Sequence, residues 1–323
     1  MSKPPKETLI LGTRGSELAL AQTGMVTRLL QETHPHLDIR RKIIATTGDK
    51  RLDLRLADFS TGENPVLDKG IFIKELEVAL EAGEIDAAVH SLKDVPSELS
   101  SAFSLAAVLA RAAVEDVLVT REPHTLDSLP AGARVGTSSV RRARQIKWLR
   151  PDIEIVEIRG NVPTRVKKVL GDEPLDAVML ASAGLVRLGL VNAALSRIHM
   201  DTHTLYVVVM EPDKFLPAAG QGAIAIETRR HDQRVNKIFP KIDDPDTRAR
   251  VTAEREFLRL LGAGCQTPVG VRTWISDEKL HMTVRVFSES DASAPPVEAS
   301  HTTSIYTPKA LATELARRVQ AQA

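Results

Sequence analysis

The chain has 323 residues, of which 43% are hydrophobic and only 3% aromatic, and its formal net charge is +1. This length predicts two or three domains with aliphatic cores, and the balanced charge favours neither nucleic-acid binding nor membrane binding. No apolar run approaches the ~18 residues of a membrane span. The single cysteine, Cys265, excludes an intrachain disulfide and a cysteine-based zinc cluster. We therefore expect a cytoplasmic protein.

The first two thirds of the chain alternate short aliphatic runs with helical patterns, which predicts α/β units with mainly parallel sheets. The predicted strands are Leu9–Leu11, Ile43–Thr46, Ala87–Val89, Leu105–Leu109, one near Val135, Ile153–Ile158 and Ala177–Leu180. The predicted helices are Ser16–Leu30, Gly70–Ala82, Ser139–Leu149 and one that begins at Pro163.

The last part of the chain has a different pattern. A long helix is predicted over Pro245–Leu261, followed by two antiparallel strands in "VGVRTWI" and "KLHMTVRVF", which the polar turn "SDE" joins. A final amphipathic helix is predicted in "TPKALATELARRVQ", with Thr307 as its cap. This indicates a small α+β domain, with Cys265 in the loop "GAGCQTPVG" between its long helix and its first strand.

Two turns of the predicted α/β units resemble each other. "LILGTRGSELALAQ" and "ARVGTSSVRRARQ" both run from a strand through Gly-Thr and a serine into a helix. Such a turn presents hydroxyls and free backbone N–H groups at a helix N-terminus, which suits an anion. The echo predicts two similar α/β domains, each with an anion site.

Arginines surround these turns. Residues 140–169 contain nine basic side chains against three acidic ones, and a solvated helix face explains many of them. Arg141 and Arg142, however, lie in the first turn of a predicted helix, where a cation opposes the helix dipole unless an anion is near. Because arginine binds carboxylates bidentately, we expect a ligand with several carboxylates. The scarcity of aromatic residues disfavours nucleic acid.

The stretch "DAAVHSLKDVP" leads from a predicted strand into polar residues. A histidine such as His90 at a sheet end is more often structural than catalytic, and Lys93 with Asp94 could form an ordinary surface ion pair. A carboxylate at a strand end in a cationic cleft also suits acid–base chemistry on a bound amine. Both interpretations remain open on the residues alone.

Six motifs occur together and in order: "HSLKDVP", "GTSSVRRARQ", "IRGNVPTR", "ASAGLVRLGL", "LPAAGQGAIAIE" and "GAGCQTPVG". With them the chain resembles the hydroxymethylbilane synthase, or porphobilinogen deaminase, family from "LGTRGS" to at least "CQTPVG". The resemblance implies two α/β domains similar to periplasmic binding proteins and a small C-terminal α+β domain. The implied boundaries are 1–112 with 217–240, then 113–216, then 241–323.

The resemblance also implies the chemistry. Cys265 would carry a dipyrromethane cofactor through a thioether, and the enzyme would join four porphobilinogens head to tail with release of ammonia. Asp94 matches the family's catalytic carboxylate. No metal, nucleic-acid or membrane partner is implied, and a monomer is expected. The alternative from another class is a binding protein for a polycarboxylate or oxyanion, which leaves Cys265 and Asp94 without a role.

The family's binding positions fall on residues of this chain. Besides Cys265, the implied cofactor-binding residues are Lys93, Asp94, Thr137, Ser138, Ser139, Arg141, Arg142 and Arg165. The implied substrate-binding residues are Arg14, Ser16, Arg159, Arg165 and Arg187. The segment 58–69 is longer and more polar than the corresponding segment of the family. Lys69 matches a position in the family's mobile active-site cover.

Overall fold

A computed structural model describes most of the chain. The described residues are 7–46, 73–171, 174–192, 194, 196–200, 202–264 and 267–322. They form two compact units, Met1–Arg111 with Ala223–Arg248, and Ala112–Gly222 with Ala249–Ala323. The three-domain division inferred from the family stays a prediction.

The described elements follow one another in chain order. The strands are β1 (Thr8–Thr13), β2 (Asp38–Ile43), β3 (Ala87–Ser91), β4 (Phe103–Val108), β5 (Asp116–Thr120), β6 (Arg134–Gly136), β7 (Glu154–Val156), β8 (Ala177–Ala181), β9 (Arg197–Met200), β10 (His203–Val209), β11 (Ile224–Arg229), β12 (Val269–Ser276), β13 (Lys279–Val286) and β14 (Val297–Ser304). The helices are α1 (Glu17–Thr33), α2 (Lys74–Glu81), α3 (Val140–Leu149), α4 (Val162–Lys167), α5 (Ser182–Arg187), α6 (Gln233–Asn236), α7 (Pro245–Leu260) and α8 (Pro308–Gln320). Short 3₁₀ turns occupy Leu92–Asp94 and Phe239–Ile242.

The first unit contains a sheet in the order β2-β1-β3-β11-β4, and the second contains one in the order β7-β6-β8-β5-β10-β9. The two orders match strand for strand, with β9 added at one edge. In each sheet, three strands are parallel and the next strand is antiparallel to its neighbours. The expectation of mainly parallel sheets is therefore only half right. The antiparallel strands β5 and β11 each follow a strand of the other sheet in the chain, which is why alternation along the sequence did not reveal their direction.

The two resembling turns are confirmed as helix starts. The Ser16 hydroxyl at the start of α1 accepts a hydrogen bond from the Ala19 N–H at 3.3 Å. The Ser139 hydroxyl at the start of α3 accepts one from the Arg142 N–H at 3.4 Å. A serine at this position satisfies a backbone donor that has no partner within the helix. Both turns follow the first strand of a parallel pair, β1 or β6, so each opens at the carboxyl edge of its sheet.

Several predicted boundaries differ from the structure. The predicted strand Ile43–Thr46 is instead β2 (Asp38–Ile43), which pairs with the whole of β1 through polar residues that apolar patterning misses. The strands β5, β9, β10, β11 and β14 were not predicted. β14 has no buried residue along its length, so it lacks the apolar alternation that marks a half-buried strand.

The small C-terminal sheet has the order β12-β13-β14. Its predicted hairpin is confirmed, because β12 and β13 pair antiparallel from Val269 with Val286 to Ser276 with Lys279. The two residues of its turn, Asp277 and Glu278, have φ of 49° and 57°, as a two-residue hairpin requires. The sheet's apolar side chains pack with Phe257 of α7 and with the inner face of α8. Thr307 precedes α8 but makes no side-chain cap bond.

No helix among the described ranges is both long and apolar enough to span a bilayer.

Gly222, between β10 and β11, is a position where only glycine fits. Its φ is +82°, and an added Cβ would lie 2.5 Å from the carbonyl oxygen of Ala112. We expect Gly222→Ala to lower the free energy of unfolding by about 3 kcal/mol, from left-handed backbone strain and displacement of that backbone. Gly132 is a matched control, since its φ is +73° but open space surrounds it, so Gly132→Ala should cost about 1 kcal/mol. Urea unfolding measures both, and equal losses would contradict the steric argument.

Candidate active site

A pocket in the first unit brings together residues from two separate segments. Arg14 and Ser16 line it from the turn between β1 and α1, and Asp94 lines it from the 3₁₀ turn after β3. β1 and β3 are parallel neighbours, so both segments leave the sheet at its carboxyl edge, where open α/β sheets bind ligands. Arg14, Ser16 and Asp94, which match the family's substrate-binding and catalytic positions, therefore line the same pocket. This pocket is called the Asp94 pocket.

Backbone and side-chain bonds hold the Asp94 turn in place. The Leu92 N–H donates to the Ala223 carbonyl at 3.0 Å, and the Val95 N–H donates to the Leu92 carbonyl at 3.0 Å. Next to them, the buried amide of Gln22 donates to the Ser91 hydroxyl at 2.8 Å, and that hydroxyl lies 3.1 Å from the amide oxygen. Gln22 is not among the site residues expected from the sequence. Its signal was a polar side chain on the apolar face of α1.

A buried hydrogen-bonded pair lies next to the pocket. His90 Nε2, on β3, lies 2.9 Å from Glu227 Oε2 on the antiparallel neighbour β11, and both side chains are almost fully buried. His90 also lines the Asp94 pocket. Burial, followed by the charge of Glu227, raises the pKa of Glu77 on α2. The half-buried carboxyl of Glu77 thus lies near that of Glu227. The sequence offered no sign of Glu227, because β11 joins the sheet from a distant segment.

In the equivalent turn of the second unit, the Thr137 and Ser139 hydroxyls accept hydrogen bonds from backbone N–H groups of the same segment. The Thr137 hydroxyl accepts a hydrogen bond from the Ser139 N–H at 3.2 Å, and the Ser139 hydroxyl caps α3. Thr137 is buried, whereas Ser138 and Ser139 are half-buried. This arrangement keeps the turn rigid at the N-terminus of α3, where its dipole favours an anion.

The two arginines of α3 are buried and face a carboxylate of the protein. Arg141 Nη1 lies 2.7 Å from Asp116 Oδ2, and Arg142 Nη2 lies 2.6 Å from Asp116 Oδ1. Gln221 Nε2 donates to the same Oδ1 at 3.0 Å. Burial by itself raises the pKa of Asp116, but the two guanidiniums outweigh it and hold that pKa well below its usual range. The anion that the helix start requires is thus partly Asp116, a residue that the sequence analysis did not single out.

Asp116, Arg141, Arg142 and Gln221 together are called the arginine cluster below. A carboxylate in the apolar strand "DVLVT" was the available sign of Asp116, because charged side chains are rarely buried without a partner.

The other matched arginines lie in the second unit too. Arg187 Nη2 donates to the Gly222 carbonyl at 2.6 Å, and burial lowers the pKa of Arg187 to about 10. Its Nε is buried and has no hydrogen-bond partner in the described part of the chain. Arg159 pairs with Glu157 at 2.7 Å, and Arg165 Nε donates to the Gly160 carbonyl at 2.8 Å. Arg187 is the member of this set whose donors best suit an added carboxylate.

Cys265 and Lys69 lie outside the described residues, as does the segment 58–69. The residues that flank Cys265 and Gln266 are described. The Gly264 N–H donates to the Thr267 hydroxyl at 3.0 Å, and the Thr267 N–H donates to the Gly264 carbonyl at 3.2 Å. Lys93 is exposed. In the ranges that the structure covers, no three His, Cys, Asp or Glu side chains are grouped as metal ligands would be.

Comparisons with known proteins agree on one family. A model described as "Porphobilinogen deaminase, dipyromethane cofactor binding domain" matches residues 9–237, and one for the C-terminal domain of porphobilinogen deaminase matches residues 248–321. The porphobilinogen deaminase of Roseiflexus sp. (strain RS-1) is 46% identical over 275 residues, which cover 85% of this chain and 84% of that protein. The porphobilinogen deaminase of Nitrobacter winogradskyi is 42% identical over 307 residues, covering 90% and 91%.

The solved structures with a similar backbone fold have much lower sequence identity to this chain. The effector-binding domain of BenM, with benzoate, has a TM-score of 0.42 at 15% identity and covers 73% of this chain and 90% of its own. The methionine-binding protein MetQ has a TM-score of 0.44 at 13% identity and covers 73% and 89%. At these scores the likeness carries no argument about ligands. The two family models and the relatives above 40% identity do decide the matter, and this chain belongs to the porphobilinogen deaminase family.

Proposed function

We propose that this chain joins four porphobilinogen molecules head to tail into hydroxymethylbilane, on a dipyrromethane primer attached to Cys265, in tetrapyrrole biosynthesis. The observation that carries the proposal is the Asp94 pocket, where a carboxylate, a guanidinium and a helix-capping serine meet at one sheet edge. A carboxylate-bearing amine is the substrate that such a pocket suits. A pure binding protein needs the cation but gives Asp94 no task.

Each condensation forms one carbon–carbon bond and breaks one carbon–nitrogen bond. The amino group of porphobilinogen's aminomethyl substituent leaves as ammonia, and the methylene carbon that carried it forms the new bond. The ring that is joined to this carbon loses one α-hydrogen as a proton, which balances the proton taken up by the departing amine. Arg14 and Ser16 hold a substrate carboxylate, and Arg159, Arg165 and Arg187 serve the same purpose in the second unit. Asp94 stabilises positive charge on the reacting pyrrole and moves the proton. General acid–base help of this kind is worth ~10²–10⁴ in rate.

The residues of the second unit fit a ligand that carries carboxylates. The arginine cluster holds two guanidiniums against one carboxylate, and Arg187 has a buried Nε without a described partner. Thr137, Ser138, Ser139, Arg141, Arg142 and Arg165 hold the dipyrromethane, with Lys93 and Asp94 from the first unit and the covalent bond at Cys265. When bound, this cofactor supplies the ring carbon to which the first substrate unit is joined.

The protein works as a cytoplasmic monomer without nucleic-acid or membrane partners. A formal net charge of +1 and a single cysteine support this, and light scattering of the purified protein checks the oligomeric state.

The mass of the intact protein and its ammonia yield together test the reaction. Protein made in cells that supply porphobilinogen should exceed its polypeptide mass by two linked pyrrole units. With added porphobilinogen, it should release one ammonia for each substrate molecule consumed. Substrate that is bound but returned unchanged, with no ammonia, would instead identify a binding protein.

A further inference from the structure

The arginine cluster holds an unbalanced charge. Asp116, Arg141 and Arg142 are each at most 6% exposed, and Asp116 is the one carboxylate paired with the two guanidiniums in the described part of the chain. One positive charge is therefore left over inside the protein. An isolated buried charge is strongly unfavourable unless a partner neutralises it, so the cluster suits the addition of one more anionic group.

The donors of the two arginines are not used equally. Arg142 gives Nε and Nη2 to Asp116 Oδ1, at 2.9 and 2.6 Å, and Nη1 to the Met179 carbonyl at 3.1 Å. Arg141 gives only Nη1, which reaches Asp116 Oδ2 at 2.7 Å and the Leu216 carbonyl at 2.6 Å. Its Nε is buried without a hydrogen-bond partner in the described ranges. The cluster with one excess positive charge therefore also contains a hydrogen-bond donor without a described partner, the Nε of Arg141.

The position of Asp116 is itself fixed. It is the first residue of β5, which pairs with β8 on one side and β10 on the other. Gln221 also binds it, and the same Gln221 amide donates to the Val114 carbonyl at 2.7 Å. A carboxylate held in this way sets where both guanidiniums point before any ligand arrives.

We propose that Asp116 acts on cofactor loading through the charge of the arginine pair: it neutralises one of Arg141 and Arg142, so that one positive charge is left for a cofactor carboxylate. This rests on the proposed function. It assigns the arginine pair a built-in counter-charge, and it predicts that the number of uncompensated charges in the cluster controls how much protein acquires the dipyrromethane.

Intact-protein mass of five proteins, made with porphobilinogen available, tests the proposal. Wild type should carry the two-pyrrole surplus. Asp116→Asn leaves two uncompensated buried guanidiniums, one more than a single cofactor carboxylate neutralises, and should be loaded at least tenfold less. Asp152→Asn is the matched control, since Asp152 pairs with Arg150 at 2.7 Å beyond the other end of α3 but lies at the surface. Its loading should equal that of wild type.

Two further variants separate an effect of charge on cofactor loading from an effect of the substitutions on folding. Arg142→Gln leaves Asp116 with Arg141 alone, a neutral cluster, and should load poorly. The double variant Asp116→Asn/Arg142→Gln again has one uncompensated guanidinium and should load several-fold better than Arg142→Gln. A purely structural Asp116 predicts the reverse, because the double variant loses more contacts. Circular dichroism identifies variants that fail to fold.

The outcomes are distinct. Full loading of folded Asp116→Asn, or a double variant that loads no better than Arg142→Gln, overturns the role of Asp116 while leaving the proposed function intact. If Asp116→Asn does not fold, the comparison of the double variant with Arg142→Gln decides. A wild-type mass equal to the bare polypeptide overturns the proposed function itself, and this proposal with it.

Discussion

Replacing Asp94 with asparagine is expected to lower turnover by a factor of about 10²–10⁴, the usual value of a positioned acid–base group, while the protein still carries its cofactor. The amide has nearly the same shape as the carboxylate, but it has no charge and cannot accept the proton. Asp94 lines a pocket with Arg14 and Ser16, and we expect those two residues to contribute most to substrate binding. The loss should therefore appear in kcat far more than in KM.

Asp38→Asn is a suitable control for this experiment. Asp38 begins β2 in the same unit and pairs with Arg40 at 2.8 Å, but both side chains are well exposed. Surface pairs of this kind contribute little to stability, so the variant should turn over porphobilinogen at the wild-type rate. The two measurements needed are the rate of porphobilinogen consumption and the intact mass. Near-normal consumption by loaded Asp94→Asn would remove Asp94 from the catalytic role.

The Cys265→Ser variant is expected to lose both the two-pyrrole surplus in mass and nearly all turnover. Cys265 is the only thiol in the chain, and a serine hydroxyl is a far weaker nucleophile at neutral pH, so no other side chain can replace the thioether. The hydrogen bonds between Gly264 and Thr267 on either side do not involve the thiol. Folding should therefore be largely kept, which a thermal melt measures.

Wild-type protein made in cells unable to produce porphobilinogen is the control for that variant. It should have the bare polypeptide mass and then gain the surplus when porphobilinogen is added to the purified protein. Cys265→Ser should gain nothing under the same treatment. A surplus that persists on Cys265→Ser would place the attachment on another residue.

Local patterns predicted the elements that build the two sheet edges, with boundaries displaced by a few residues. β1, α1, β3, α3 and β8 all follow from apolar periodicity and serine caps. Family motifs then pointed to Arg14, Ser16 and Asp94, which the structure brings into one pocket. The strands β5 and β11 were missed as sheet partners because each pairs with segments far away in the chain. Local propensity carries no information about such pairing.

The interpretation of Arg141 and Arg142 changed most. Their place in the first turn of a helix correctly indicated that an anion is needed, since a cation there opposes the helix dipole. Sequence reasoning assigned that anion to a ligand, yet the structure supplies part of it through Asp116. Asp116 lies 25 residues before Arg141 in the sequence, and the two meet only because β5 inserts beside β8.

The sequence by itself determined the family, the two serine-capped turns and the thiol that carries the cofactor, because each of these depends on residues that are close together in the chain. Only the tertiary structure decided which charges face each other. It placed Glu227 against His90, and Asp116 against the arginine pair, across 137 and 25 residues. The physical reason is that burial makes charge pairing compulsory, and burial is a property of the packed sheets rather than of any one segment.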